Sequence, residues 1–135
     1  MIVRYLLDTN TARHIIKGKD PGIRRRLVEV PMALVAVSTV TEGVLRYGVA
    51  RQPAATRLQK VVNEFLLRTT ILQWDSGAAQ EYGRLRAVLE GEGQTMGNLE
   101  MMIGAHALAS DLILVTHDKA FKRIDNLKIE DWTKP

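Results

Sequence analysis

The chain contains no cysteine, which removes disulfides, thiol nucleophiles and thiolate metal sites and suits a reducing compartment, the cytoplasm. Its three histidines, His14, His106 and His117, show no His-x-x-x-His spacing, so a structural zinc site has no donor set. Aromatic residues are only 5% of the chain, which leaves few platforms for stacking unpaired bases and favours recognition of a folded polyanion by shape and phosphate contact. Long apolar runs are missing too. The stretch from Met1 to Leu7 holds an arginine and meets Asp8 too soon for a membrane span or a signal-peptide core, so it reads as a buried strand. No Gly-x-Ser-x-Gly elbow supports a serine hydrolase. The glycine-rich stretch Gly91-Glu92-Gly93 to Gly97 lacks the spacing of a dinucleotide fingerprint or a phosphate loop, and reads as a loop feeding the next helix.

What is present fits one compact domain over 1–135: 46% hydrophobic and 25% charged residues, without repeats, low-complexity stretches or a linker. The formal charge is +4, with basic residues gathered at Arg24, Arg25 and Arg26 and at Lys119, Lys122 and Arg123. Such a surface suits RNA, although a charge run is by itself no more than a solvated helix face.

Apolar runs alternate with amphipathic segments, the signature of an α/β fold. Short strands are expected at Val3 to Leu7, Ala33 to Val37, Thr70 to Leu72, Leu112 to Val115 and Leu127 to Ile129. Helices between them take Asn10, Thr39, Asp75 and Asn98 as N-caps and Gly48 and Gly91 as stops. From Pro53 to Leu67, the helical spacing of Leu58, Val61, Val62, Phe65 and Leu66 marks a core-facing stripe. Strands joined through helices imply a mainly parallel sheet of four to five strands with helices on both faces. Such sheets bind ligands beyond the carboxyl ends of their strands.

At those ends stand acids. Leu6-Leu7-Asp8-Thr9-Asn10 closes the first strand, and Leu114-Val115-Thr116-His117-Asp118 closes another. Glu100 lies in the first turn of the helix opened near Asn98, where the macrodipole favours its ionised form. Singly, Asp8 reads as a helix cap, Asp118 as a turn residue and Glu100 as a favourable first-turn charge. Brought together, carboxylates need a cation, and oxygen donors select Mg2+, or Mn2+, over zinc.

Four stretches in order carry a family resemblance: Leu7-Asp8-Thr9-Asn10; Ser38-Thr39-Val40-Thr41 to Leu45-Arg46-Tyr47-Gly48; Gly97-Asn98-Leu99-Glu100 to Ala105-His106-Ala107-Leu108; and Leu114-Val115-Thr116-His117-Asp118 to Phe121. Together with Leu127 and Glu130-Asp131-Trp132, they resemble the motif set of VapC-type PIN domains over nearly the whole chain. The resemblance implies a PIN-like fold and the toxin of a toxin–antitoxin pair. It also implies a homodimeric, Mg2+-dependent endoribonuclease that cleaves a structured RNA such as a tRNA, with a VapB-type antitoxin as partner and no membrane attachment. In that scheme Asp8 and Glu100 lead as metal ligands, and Asp118 holds a second metal or a bridging water. Asn10 and Thr116 support the ligands, and His117 is a candidate phosphate contact beside its plainer role as a loop residue.

Two positions depart from the pattern. Val44 stands where the family usually carries glutamate, and Glu100 where it usually carries aspartate. Glu42 lies two residues before Val44, roughly 200° around a helix, so it reads first as the partner of Thr39 in a capping box and second as a displaced catalytic acid. The expectation is a weak or inactive nuclease. Two other readings stay open: a catalytically disabled PIN module that binds RNA or antitoxin without cleavage, and a nuclease directed at DNA. The apolar faces around Val44, Leu45, Tyr47 and Val49 and around Leu58 to Leu66 are candidates for dimer or antitoxin contact as well as for core.

Overall fold

A computed structural model describes residues 2–134; Met1, at the head of the first apolar run, lies outside the described residues. Within them are strands β1 (Tyr5–Leu7), β2 (Val35–Ser38), β3 (Thr70–Leu72), β4 (Ile113–Val115) and β5 (Ile129–Glu130). The helices are α1 (Thr9–Lys17), α2 (Pro21–Glu29), α3 (Thr39–Ala50), α4 (Thr56–Arg68), α5 (Ser76–Gly91) and α6 (Asn98–Ser110). The strands form one sheet in the order β3-β2-β1-β4-β5, and every pairing is parallel.

Strand alternation sends side chains to two cores. Tyr5 and Leu7 of β1, Val35 and Val37 of β2 and Val115 of β4 pack with Ala12, Ile23, Leu45, Val62 and Phe65 from α1 to α4. Leu6, Ala36 and Leu114, the residues between, pack with Leu85 and Leu89 of α5 and with Met101, Ile103, Ala105 and Ala107 of α6. Both faces of the sheet are therefore covered, which explains why the strands read as unbroken apolar runs.

Several boundaries differ from the sequence reading. The second strand opens at Val35, because Met32–Leu34 forms a 3-10 turn after Pro31. Asp75 caps α5 as expected, its carboxylate accepting from the Ala78 N–H. The other caps stand one or two residues earlier than expected. Asp8, not Asn10, caps α1; Ser38, not Thr39, caps α3; and Gly97 precedes α6, leaving Asn98 as its first residue. The Thr39–Glu42 capping box does not form, since Ser38 Oγ already accepts from the Val40 N–H and Thr39 Oγ1 accepts from the Trp74 N–H. Gly48 lies inside α3, which continues to Ala50, whereas Gly91 is the last residue of α5.

From β1 the chain moves outward to β2 and β3, and then returns to place β4 on the other side of β1. The connections leaving β1 and β4 therefore diverge. Leu7 pairs with Val115, and the Asp8 N–H donates to the Val115 carbonyl at 3.0 Å, so the two strands end level with each other. This is the switch point at which open α/β sheets bind ligands.

Candidate functional site

Asp8 is only 4% exposed at this switch point. Its Oδ1 accepts from the Thr11 N–H at 2.8 Å, capping α1, and its Oδ2 accepts from the Thr116 hydroxyl at 2.5 Å. The same hydroxyl oxygen accepts from the Asp118 N–H at 3.0 Å. Asp118 in turn caps the 3-10 turn Lys119–Arg123, its Oδ1 accepting from the Ala120 N–H at 2.9 Å. Thr116 thus ties together the two acids that leave β1 and β4.

Asp8, Asp118 and Glu100 line one cavity of about 140 Å³. Thr9, Asn10 and Arg13 of α1 complete its polar wall, and Val44, Leu99, Ile103 and Phe121 its apolar wall. Val44 of α3 therefore shares the cavity with the acids. Glu42 does not line this cavity. It points along the helix to Arg46, at 2.8 Å, in an i,i+4 ion pair. The helix stays regular through this turn, and the angular offset between positions 42 and 44 keeps Glu42 off the cavity wall.

Glu100 takes the third helical position of α6, and its side chain curls back over Gly97. A Cβ placed at Gly97 would overlap Glu100 Oε2 and lie 3.0 Å from its Cδ.

A PIN domain family profile matches residues 5–127. The tRNA(fMet)-specific endonuclease VapC of Salmonella typhimurium is 35% identical over 97% of this chain and 99% of its own length. The protein of that name from Shigella flexneri is 32% identical over 98% and 100%. Among solved structures, a chain of the DNA-bound VapBC from Salmonella typhimurium superposes with a TM-score of 0.89 at 35% identity, over 96% of this chain and 98% of that one. The chain belongs to the PIN domain family and is of the VapC type.

In this VapC-type chain the donor chemistry suits a hard cation, since every acid facing the cavity offers carboxylate oxygen. Among the described residues no group of three or more His, Asp or Glu side chains is drawn close enough to cage an ion. A cation such as Mg2+, which takes one or two carboxylates and completes its shell with water and phosphate oxygen, would suit such a donor set. Asp8 and Asp118, joined through Thr116, and Glu100 on the same cavity are the residues that could hold it.

The remaining expected site residues separate. Asn10 lies on the cavity wall, exposed, with the Arg13 guanidinium 3.5 Å from its side-chain oxygen. His117 is exposed and off the cavity wall, packed edge to face on His14 with ring centroids 5.2 Å apart. His106 is buried on α6 at 2% exposure, and its Nδ1 has no hydrogen-bond partner. Burial pushes its pKa below the ordinary value, while Asp75 and the Gln73 backbone push the other way.

One further residue of the site carries no motif signal. Arg13 brings a cation to the mouth of the acid cavity, and it also borders a neighbouring groove of about 470 Å³. Only its position one helical turn after Thr9 and Asn10 could have suggested it. That groove is lined by Val44, Leu45, Val49, Leu58 and Val62 between α3 and α4, so the apolar faces singled out in the sequence are part core and part open surface. Tyr47 is 63% exposed, beneath the Arg51 guanidinium.

Proposed function

We propose that this chain is the toxin of a toxin–antitoxin pair, an endoribonuclease dependent on Mg2+ or Mn2+ that hydrolyses a structured RNA such as a tRNA. Its activity is attenuated by Val44 and Glu100. The observation that carries this reading is the placement of Val44 on the wall of the cavity shared by Asp8, Glu100 and Asp118. The names of the VapC relatives supply the ribonuclease class and the tRNA substrate, and the VapBC assembly supplies a VapB-type antitoxin as partner. A homodimer using the open face of α3 and α4, working in the cytoplasm, completes the proposal.

When bound, the cation neutralises phosphate charge and supplies an activated water for in-line attack. Asp8, Glu100 and Asp118 would hold it, and Thr116 ties the Asp8 carboxylate to the Asp118 backbone. Arg13 stands where a phosphate oxygen enters, and the basic turn of Lys119, Lys122 and Arg123 beside Asp118 draws the RNA backbone. Val44 removes one negative charge from the wall, which weakens cation binding. Glu100 carries its carboxylate one methylene further than aspartate, and misplacement by about 1 Å costs on the order of a hundredfold in rate.

The test is cleavage of a tRNA pool and of single-stranded and duplex DNA by this chain beside Val44→Glu and the double variant Val44→Glu, Glu100→Asp. Cleavage should require Mn2+ or Mg2+, prefer tRNA and rise at least tenfold in the double variant. Equal rates in the unmodified and restored chains would refute attenuation. RNA binding without any cleavage, even in the restored chain, would favour a non-catalytic binding module, the reading that Val44 also supports.

A further inference from the structure

We propose that Gly97 is a positioning residue for Glu100: lacking a side chain, it gives the Glu100 carboxylate a resting place at the start of its own helix, on the edge of the acid cavity, in competition with a cation bound there.

The side chain of Glu100 occupies the space that a Cβ at Gly97 would fill. Gly97 itself has φ −60° and ψ 146°, an extended conformation open to any residue, so backbone strain does not explain glycine here. What the missing Cβ provides is room. Four orphan N–H groups at the start of α6 attract an anion, and no side chain caps this helix. A glutamate at the third helical position is long enough to fold back toward that start, whereas an aspartate is shorter by one methylene. Glu100 and Asp118 both border two hollows, the acid cavity with Asp8 and a more open one with Thr95, Gly97 and Arg123. The resting carboxylate lies where they meet. Binding a cation in the acid cavity competes with this resting contact.

The inference rests on the reading of the cavity as a divalent-cation site, and the experiment separates the two. Mn2+ affinity is measured by paramagnetic titration for the unmodified chain, Gly97→Ala, Glu100→Asp and the double variant, with melting temperatures recorded without metal. The atom that an alanine Cβ displaces is the end of a flexible side chain, so Gly97→Ala keeps the fold. It removes the resting place and raises Mn2+ affinity by about two- to fivefold, the range of a carboxylate's attraction to a helix start. In the Glu100→Asp background the same substitution leaves affinity unchanged, because aspartate does not reach Gly97. An unchanged or lower affinity in Gly97→Ala, or an equal effect in both backgrounds, overturns the positioning role and leaves the divalent site standing. Absence of Mn2+ binding in every chain, including Val44→Glu, overturns the divalent site and this role with it.

Discussion

Both carboxylate oxygens of Asp8 are engaged within the protein, one by the Thr11 amide and one by the Thr116 hydroxyl, and Asp118 is likewise engaged as a cap. The plain reading of these acids as caps and the functional one are therefore compatible, because a carboxylate carries more lone pairs than a cap consumes. Thr116→Val tests the tie between them. Valine keeps the shape but removes the donor to Asp8 and the acceptor for the Asp118 N–H, and the expected loss in urea unfolding is about 1–3 kcal/mol. Thr116→Ser, which keeps the hydroxyl, should recover most of it; a valine variant as stable as the parent would show that the tie contributes nothing. At this scale Asp8, Asp118, Glu100 and Val44 were legible because each follows a strand end or sits in an ordered motif. Gly97 and Arg13 were not, since their importance lies in what occupies the space beside them.

The α/β pattern was legible at the scale of elements because buried parallel strands leave short apolar runs between amphipathic helices. Helix starts were read late for a physical reason: the acid or hydroxyl that ends a strand also opens the next helix, so no loop residue is left over to act as a cap. The C-terminal segment shows a closeness that sequence does not announce. Trp132 is buried against Tyr5, edge to face with centroids 5.2 Å apart, and its Nε1 donates to Glu130 Oε1 at 3.0 Å. Arg26 of α2 binds the same carboxylate at 2.7 Å and lies over the indole. This packing brings α2 so near that a Cβ at Gly22 would stand 2.6 Å from the Thr133 carbonyl oxygen and 2.8 Å from that of Trp132. Backbone, unlike a side-chain tip, does not move aside cheaply. Gly22→Ala should cost about 1–3 kcal/mol and loosen the segment, visible as a red shift of Trp132 emission. Trp74 emits as well, so the comparison is made in a Trp74→Phe background. Unchanged stability and emission would mean that the close approach is not maintained.

For the whole molecule, the net charge of +4 anticipates a polyanionic partner, yet the site sits among acids; attraction at long range and the reacting pocket carry opposite signs. Among the described residues no helix is long and apolar enough to cross a membrane. Global stability should also respond to acid through His106. Its pKa is lowered by burial in the folded state, so between that value and the ordinary one, roughly 6.5, the unfolded chain binds more protons. Stability is therefore full above about pH 7 and falls as pH drops through the ordinary histidine range, with a slope of up to ~1.4 kcal/mol per pH unit. Urea unfolding at pH 7.5, 6.5 and 5.5 should show this slope, and His106→Gln should flatten it; parallel curves for the two chains would exclude His106 as the cause. The double employment of Asp8 and Asp118 has a last consequence, for the ways in which such a toxin can be disarmed. A mutation at either acid removes a helix cap together with a carboxylate of the cavity, so a loss of activity there would come with a loss of stability. Position 44 caps nothing and ties no strands together, and valine there borders both the acid cavity and the apolar groove between α3 and α4. Exchange at position 44 therefore alters the charge of the cavity while leaving the caps and the Thr116 tie in place.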